Sequence, residues 1–276
     1  MTADRKISLV VADVDGTLLT EEKVLTRRAR DAISALRESG IRFAITSGRP
    51  PLGMAMLLDS LRLETPLAGF NGGLFVTPEL TVIERRTLAS GVAARSIELI
   101  RDHGLDPWVY RDSEWLIGRA DAPHVAREAW TVQFQPRVVP DVGDRLDQIV
   151  KVVGVGDDLG RVQRCEAAAQ AAFGASATAS RSQPYYLDIT HKDANKGSVV
   201  DFLSRHLGVP AEEIATIGDQ PNDVLMFRRS GLSIAMGNAP DPVKAQASVT
   251  TDSHQDEGFA KAMERFVLGV PAEAAP

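Results

Sequence analysis

Asp13 and Asp15 stand two residues apart in the run Asp13-Val14-Asp15-Gly16-Thr17, directly after the apolar stretch Ile7 to Ala12. If the chain turns between them, the Asp13 side chain and the Asp15 carbonyl can face a hard cation while the Asp15 carboxyl stays free to move protons. Gly16 permits that turn. Three further clusters carry matching chemistry: Thr46-Ser47-Gly48-Arg49, Lys196-Gly197, and Gly218-Asp219-Gln220-Pro221-Asn222-Asp223. Ser47 offers a hydroxyl to a phosphate oxygen, Gly48 lets backbone approach closely, and Lys196 brings positive charge to the equatorial oxygens. Asp219 and Asp223 add carboxylates. Gathered with a phosphate dianion, these acids repel one another unless a divalent cation lies among them, and Mg²⁺ suits an oxygen-only site that also binds phosphate. Together the four clusters describe one phosphate site.

Each cluster alone has a plainer reading. Asp and Gly mark strand-ending turns, Asp219 or Asn222 can cap the helix that follows, and an isolated lysine is ordinarily a solvated surface residue. Other ligand devices fail on spacing. An EF-hand counted from Asp13 meets its glycine too early and has Val24 at the position that needs a bidentate glutamate. Gly154-Val155-Gly156 has Leu159 where a dinucleotide fingerprint needs its third glycine, and no G-x-x-x-x-G-K-[ST] loop occurs.

The elements that must position these residues alternate. Ile7 to Ala12 reads as a buried parallel strand, whose carboxyl end is where open α/β sheets bind ligands. Thr26 caps a helix with Ala29, Ala32, Ile33 and Leu36 on one face, Gly40 ends it, and Ile41 to Ile45 returns as a strand, a βαβ unit that brings Ser47 to the edge holding Asp13. A helix over Met54 to Leu63 and a short strand over Leu67 to Phe70 lead to Asn71-Gly72-Gly73, followed by a small hairpin around Pro78. The middle third has a different rhythm. Ser90 is placed to cap a helix, and strands are expected at Trp108 to Tyr110, Glu114 to Ile117, Gln148 to Val155, Ala175 to Ser180 and Tyr185 to Ile189. Helices are expected around Val125 to Trp130 and over Leu159 to Phe173. From Lys196 the first rhythm resumes, with strands at Ile214 to Ile217 and Leu232 to Ala235. The expected architecture is α/β: a Rossmann-like parallel-sheet core built from residues 1–84 and 186–276, with a smaller α/β cap inserted at 85–185.

Composition narrows the ligand. The chain has 276 residues, of which 44% are hydrophobic, enough for a large core and a second domain. A net charge of -6 without basic runs argues against nucleic acid. The single cysteine, Cys165, excludes an intrachain disulfide and a Cys-rich metal site, and is expected to be a buried apolar residue. Met1 to Lys6 is polar, no apolar run is long enough to cross a bilayer, and the Pro-Ala-Glu-Ala-Ala-Pro end reads as a frayed tail. A cytoplasmic enzyme, monomer or homodimer, acting on a small soluble phosphate ester is the expectation.

D-x-D-G-T, [ST]-G-R, K-G and G-D-x-x-N-D, in this order, resemble the haloacid dehalogenase superfamily, specifically its Cof-type phosphatases with a large α/β cap, across essentially the whole chain. The resemblance implies a Mg²⁺-dependent phosphomonoester hydrolase. It implies that Asp13 attacks phosphorus to form an aspartyl-phosphate, while Asp15 protonates the leaving alcohol and later activates water. It further implies that Asp13, the Asp15 carbonyl and Asp219 hold Mg²⁺, with Asn222 or Asp223 contributing directly or through water, and that Ser47 and Lys196 orient the phosphoryl group. Asn71 and Gly72 match an N-G segment that holds phosphate or substrate. Trp108, Tyr110, Arg111, Trp115 and Lys151 are cap candidates for choosing the leaving group, although aromatics in strands more often serve packing; Asp188 and Asn195 are read as ordering a loop. Sugar phosphates are the leading substrate class. A phosphomutase acting on hexose phosphates and a non-catalytic phosphometabolite sensor are the competing functions.

Overall fold

The computed structural model describes residues 6–270. The amino-terminal residues before Lys6 and the carboxyl-terminal segment read as a frayed tail lie outside the described residues. Two sheets organise the chain. The larger has eight strands, β1 (Leu9–Asp13), β2 (Arg42–Thr46), β3 (Leu67–Gly69), β4 (Leu74–Val76), β5 (Val82–Arg85), β12 (Ile214–Gly218), β13 (Leu232–Ala235) and β14 (Val249–Thr250), in the order β14-β13-β12-β1-β2-β3-β4-β5. Strands from β14 to β3 are parallel, and β4 and β5 extend them as antiparallel hairpins. The smaller sheet has six strands, β6 (Asp106–Arg111), β7 (Glu114–Ile117), β8 (Arg137–Val138), β9 (Ile149–Val155), β10 (Ala177–Gln183) and β11 (Tyr186–His191), ordered β10-β11-β9-β6-β7-β8.

The boundary expected at residue 185 therefore falls inside the smaller sheet. β11 pairs with both β10 and β9, and the chain rejoins the larger layer only afterwards. No glycine or proline separates β11 from the return, so the hydrophobic pattern alone could not say which sheet it joins.

Central strands β1 and β12 are buried on both faces, which is why they read as continuous apolar runs. Helix α1 (Arg27–Glu38) buries Ala29, Ala32, Ile33 and Leu36 against the sheet, and Thr26 caps it by accepting the Ala29 amide at 3.1 Å. Helix α2 (Ala55–Leu61) is preceded by a 3₁₀ turn over Pro51–Met54, so its start is later than the spacing predicts. On the smaller sheet lie α3 (Ser90–Asp102) and α5 (Leu159–Phe173), while α4 (Val125–Val132) packs against the 3₁₀ turn over Pro51–Met54 in the larger layer. Ser90 is the first helical residue of α3 rather than its cap; its hydroxyl donates to Leu146 O instead. Cys165 lies on the buried face of α5, and burial pushes its thiol up to about 11, which leaves it a packing residue.

Trp108, Tyr110 and Trp115 are all buried, Trp108 meeting Trp115 edge to face at 5.0 Å and Tyr110 meeting Phe70 of the larger layer at 5.4 Å. These rings fasten the two layers together, and Arg111 is tied to Asp147 at 2.7 Å. Among the described residues no helix is long and apolar enough to cross a membrane.

Candidate active site

Register brings the separated clusters together. β1 lies between β12 and β2, with Asp13 opposite Thr46 and Ala12 opposite Ile217, so three loops leave the sheet at one carboxyl edge. After Asp13 the chain curls: the Leu18 and Leu19 amides both donate to the Val14 carbonyl, at 3.1 and 3.0 Å. Gly16 sits in this curl at φ +82°, and a Cβ there would lie 2.5 Å from the Asp219 carboxylate. Only glycine satisfies both the backbone angle and the close approach.

Lys196 opens α6 (Lys196–Leu207), whose cap is Asn195, its side chain accepting the Ser198 amide at 3.0 Å. That cap is the role of Asn195. The lysine is buried, and its Nζ donates to Asp13 Oδ1 and to Asp223 Oδ1, 2.5 Å from each. Asp223 Oδ2 accepts the amides of Asp219 and Gln220 at 2.9 and 2.8 Å. The capping expected of Asp219 or Asn222 falls instead to Gln220 and Asp223, and the same Asp223 carboxylate also holds the lysine.

Asp13, Asp219 and Asp223 are all buried, and each offers an oxygen within 4.8 Å of the others. Burial, reinforced by Asp223 and Asp219 and opposed by Lys196, pushes the Asp13 carboxyl well above its usual range. Burial raises Asp219 as well. Three carboxylates facing a single ammonium leave uncompensated negative charge in a water-poor place, and the donors are all hard oxygens; a divalent cation fits that need.

Asp15 turns elsewhere. Its carboxylate accepts Arg49 Nε at 2.7 Å and Nη2 at 2.6 Å, and Lys23 Nζ at 2.7 Å. Burial works against its ionisation, yet the paired guanidinium and ammonium hold it below the usual carboxylate range. Arg49 also donates to the Thr131 carbonyl at the end of α4, at 2.8 Å, so one side chain joins Asp15 to the smaller layer.

Ser47 is buried at the same edge, its hydroxyl accepting the Arg49 amide at 3.1 Å. The neighbouring Thr46 hydroxyl is buried without a partner among the described residues. A Cβ on Gly48 would make only ordinary contact, 3.6 Å from the Asn71 amide, so the protein itself leaves that position open. Asn71 and Gly72 follow Phe70 in a loop where all three residues have positive φ, at +53°, +55° and +94°. Such a run of left-handed backbone is costly and is concentrated at functional edges.

Asn222 is the sequence-derived ligand that the structure sets apart. It is exposed, and its amide donates to Asn71 Oδ1 at 3.2 Å, which places both on the rim of the cleft rather than in the carboxylate cluster. Several residues escaped the sequence reading. Asn238 donates to Gly16 O at 2.9 Å and to Asp219 Oδ2 at 3.2 Å, Gln220 Nε2 donates to the same oxygen at 2.7 Å, and Thr17 reaches Asp219 Oδ1 at 3.4 Å. Asn238 follows β13 at the same sheet edge, and that topological rule is the signal that could have found it. Arg49 was in plain view in its motif, but its partner is visible only in three dimensions.

Comparison with known proteins agrees with this geometry. Residues 10–263 match the haloacid dehalogenase-like hydrolase family. The chain is 25% identical over 265 residues to the 5-amino-6-(5-phospho-D-ribitylamino)uracil phosphatase of Bacillus subtilis, covering 96% of this chain and 98% of that one. It is 27% identical over 261 residues to the pyridoxal phosphate phosphatase of Escherichia coli, covering 89% and 95%. A haloacid dehalogenase-like hydrolase from Bacteroides thetaiotaomicron superposes with a TM-score of 0.87 at 30% identity, over 94% of this chain and 99% of that one. A match spanning nearly the whole chain, with the carboxylates and the lysine at one sheet edge, means that this protein belongs to the haloacid dehalogenase-like hydrolases.

Proposed function

We propose that this protein is a Mg²⁺-dependent phosphomonoester hydrolase that works through an aspartyl-phosphate on Asp13, acts on small phosphorylated metabolites with sugar phosphates foremost, and uses the smaller layer as a cap. The observation that carries the reading is the buried cluster of Asp13, Asp219 and Asp223 around Lys196. Asp13 supplies the attacking oxygen. Its Oδ1 is fixed by Lys196, which leaves the other oxygen to approach phosphorus. Asp13, Asp219 and Asp223 hold Mg²⁺, which when bound neutralises charge on the transferring phosphoryl group. Lys196 and the Ser47 hydroxyl pair with the remaining phosphoryl oxygens, and Asn71 and Asn222 receive the ester at the rim.

Asp15 serves as acid and then as base. Paired with Arg49 and Lys23 it is set for the water-activating half of the cycle. Donating a proton to the leaving oxygen requires Arg49 to yield one of its two bonds as substrate enters. Asp15→Asn is therefore expected to slow ordinary alkyl phosphates by roughly 10²–10⁴-fold in the first step, the usual worth of a positioned acid. Phosphorylation by p-nitrophenyl phosphate, whose leaving group needs no proton, should suffer far less. Single-turnover rates on the two esters check this, and equal losses on both would remove the acid role.

The reading as a whole is tested by phosphate release from a panel of sugar, nucleotide and cofactor phosphates, with Mg²⁺ and with chelator. Release that requires Mg²⁺ is the expected result. Transfer to a second sugar without net phosphate release would replace it with a mutase, and silence on every compound, p-nitrophenyl phosphate included, would favour a sensor.

A further inference from the structure

Lys151 and Asp188, on adjacent strands of the smaller sheet, are paired at 2.7 Å and nearly buried, at 12% and 10% side-chain exposure. Their Oδ2–Nζ contact uses one carboxylate oxygen; Asp188 Oδ1 is buried and has no partner among the described residues. A buried carboxylate oxygen left without a donor is costly unless something else supplies one. Both side chains line a cleft of about 710 Å³ that also reaches Asp15, Lys196 and Asn222. Asp188, the residue that carries the orphan oxygen, therefore borders the chamber that opens onto the phosphate site.

The register shows what surrounds it. Across the sheet Thr178 pairs with Thr190 and Thr190 with Lys151, while Ser180 pairs with Asp188. Three hydroxyls therefore share a face with the carboxylate and the ammonium, and Thr178, Ser180 and Thr190 all line the same cleft. The aromatic half of that sheet is spent elsewhere: Trp108, Tyr110 and Trp115 are 1–2% exposed, packed on one another and on Phe70. Phe70 is the aromatic residue lining the cleft, and it is 1% exposed. Among the described residues the chamber offers hydrogen bonds and charge, with no open ring face on which a flat heterocycle could stack.

We infer that Asp188 and Lys151 form the leaving-group subsite, and that the group they hold is polyhydroxylated, the sugar or polyol part of a phosphate ester. Asp188 Oδ1 accepts one hydroxyl, and Lys151 Nζ donates to the oxygen of its neighbour, so a vicinal diol satisfies both. This rests on the phosphatase reading above and narrows its substrate class. Asp188 is then a specificity residue on β11, not the loop-ordering residue its sequence position suggested.

The test compares a hexose 6-phosphate, ribitol 5-phosphate, pyridoxal 5′-phosphate and p-nitrophenyl phosphate with the wild-type protein, Asp188→Asn and Thr190→Val, all with Mg²⁺. Wild type should favour the two polyol esters over pyridoxal 5′-phosphate in kcat/KM. Asp188→Asn should lower kcat/KM on the polyol esters roughly 10–100-fold, the worth of a hydrogen bond to a buried charge. Its rates on the two aromatic esters should stay within about twofold, since those esters do not use the subsite. Thr190→Val keeps shape and strand propensity, so it reports on the same face if Asp188→Asn folds poorly; a loss confined to the polyol esters is expected there as well. A uniform loss on all four esters, no loss on the polyols, or a wild-type preference for pyridoxal 5′-phosphate would overturn the inference. If wild type hydrolyses p-nitrophenyl phosphate and these splits fail, the subsite alone falls. If it hydrolyses none of the four, the phosphatase reading falls with it.

Discussion

Asp13→Asn is expected to abolish turnover while leaving a folded protein. The amide matches the carboxylate in volume and keeps an oxygen for Lys196, whose second partner, Asp223, is untouched. What disappears is the proposed nucleophile, so the loss should be on the order of 10⁴-fold or more, the scale seen when a covalent nucleophile is removed. The substitution also withdraws a negative charge from a crowded buried cluster, in which burial and the neighbouring Asp223 and Asp219 already push Asp13 upward. Metal-free protein should therefore unfold cooperatively, at a midpoint close to that of wild type, and Mg²⁺ should stabilise the variant less than it stabilises wild type. Initial rates and urea unfolding with and without Mg²⁺ check both halves. Turnover retained at more than a few per cent would remove Asp13 from its role.

Lys196→Met has the largest expected effect on stability. Lys196 is buried, and although burial opposes its charge, Asp13 and Asp223 hold its pKa above the ordinary lysine value. Breaking a buried ion pair from one side strands the partners, at a cost of about 3–5 kcal/mol. The pH dependence follows from the directions of the shifts. Asp13 and Asp219 have folded values raised above their unfolded ones, so the stability they contribute is full below the ordinary carboxylate range and is lost as pH rises through the raised values. Lys196 is raised as well, so its contribution is fully present below the ordinary lysine value and is lost only at higher pH. Removing the lysine should push Asp13 higher still. The deficit of the variant should accordingly be greatest at pH 8, shrink toward pH 5 as Asp13 takes up a proton, and be partly relieved by Mg²⁺. Urea unfolding at the two pH values measures it, and a deficit that does not change with pH would mean that lost packing, not charge, is responsible.

Residues that announce themselves locally were legible from the sequence. Asp13 ends a strand buried on both faces, and Gly16 fits a turn whose close approach to Asp219 only glycine allows. The α1 cap at Thr26 and the whole span of α5 follow from spacing alone. What was not legible depends on which strand joins which sheet. β11 has the pattern of any half-buried strand, so its place beside β9, and with it the position of Asp188 opposite Val153, could not be read from periodicity. Asn222 entered the ligand set through the family resemblance, yet a 3₁₀ turn over Pro221–Asp223 leaves it on the rim with Asn71. Arg49 and Asn238 act through partners distant in sequence, 34 and 19 residues away at Asp15 and Asp219, and no local rule supplies those pairings.

The central claim is a covalent step on one named oxygen, and it can be observed directly. Asp15→Asn, which should be phosphorylated by p-nitrophenyl phosphate yet be slow to hydrolyse the intermediate, would be mixed with that ester and Mg²⁺, quenched in acid, digested and analysed by mass spectrometry. The account predicts a phosphoryl group on Asp13, absent with chelator and absent when Asp13 is also replaced by Asn. A phosphoryl group on another residue, or none while p-nitrophenol is released in a burst, would contradict it.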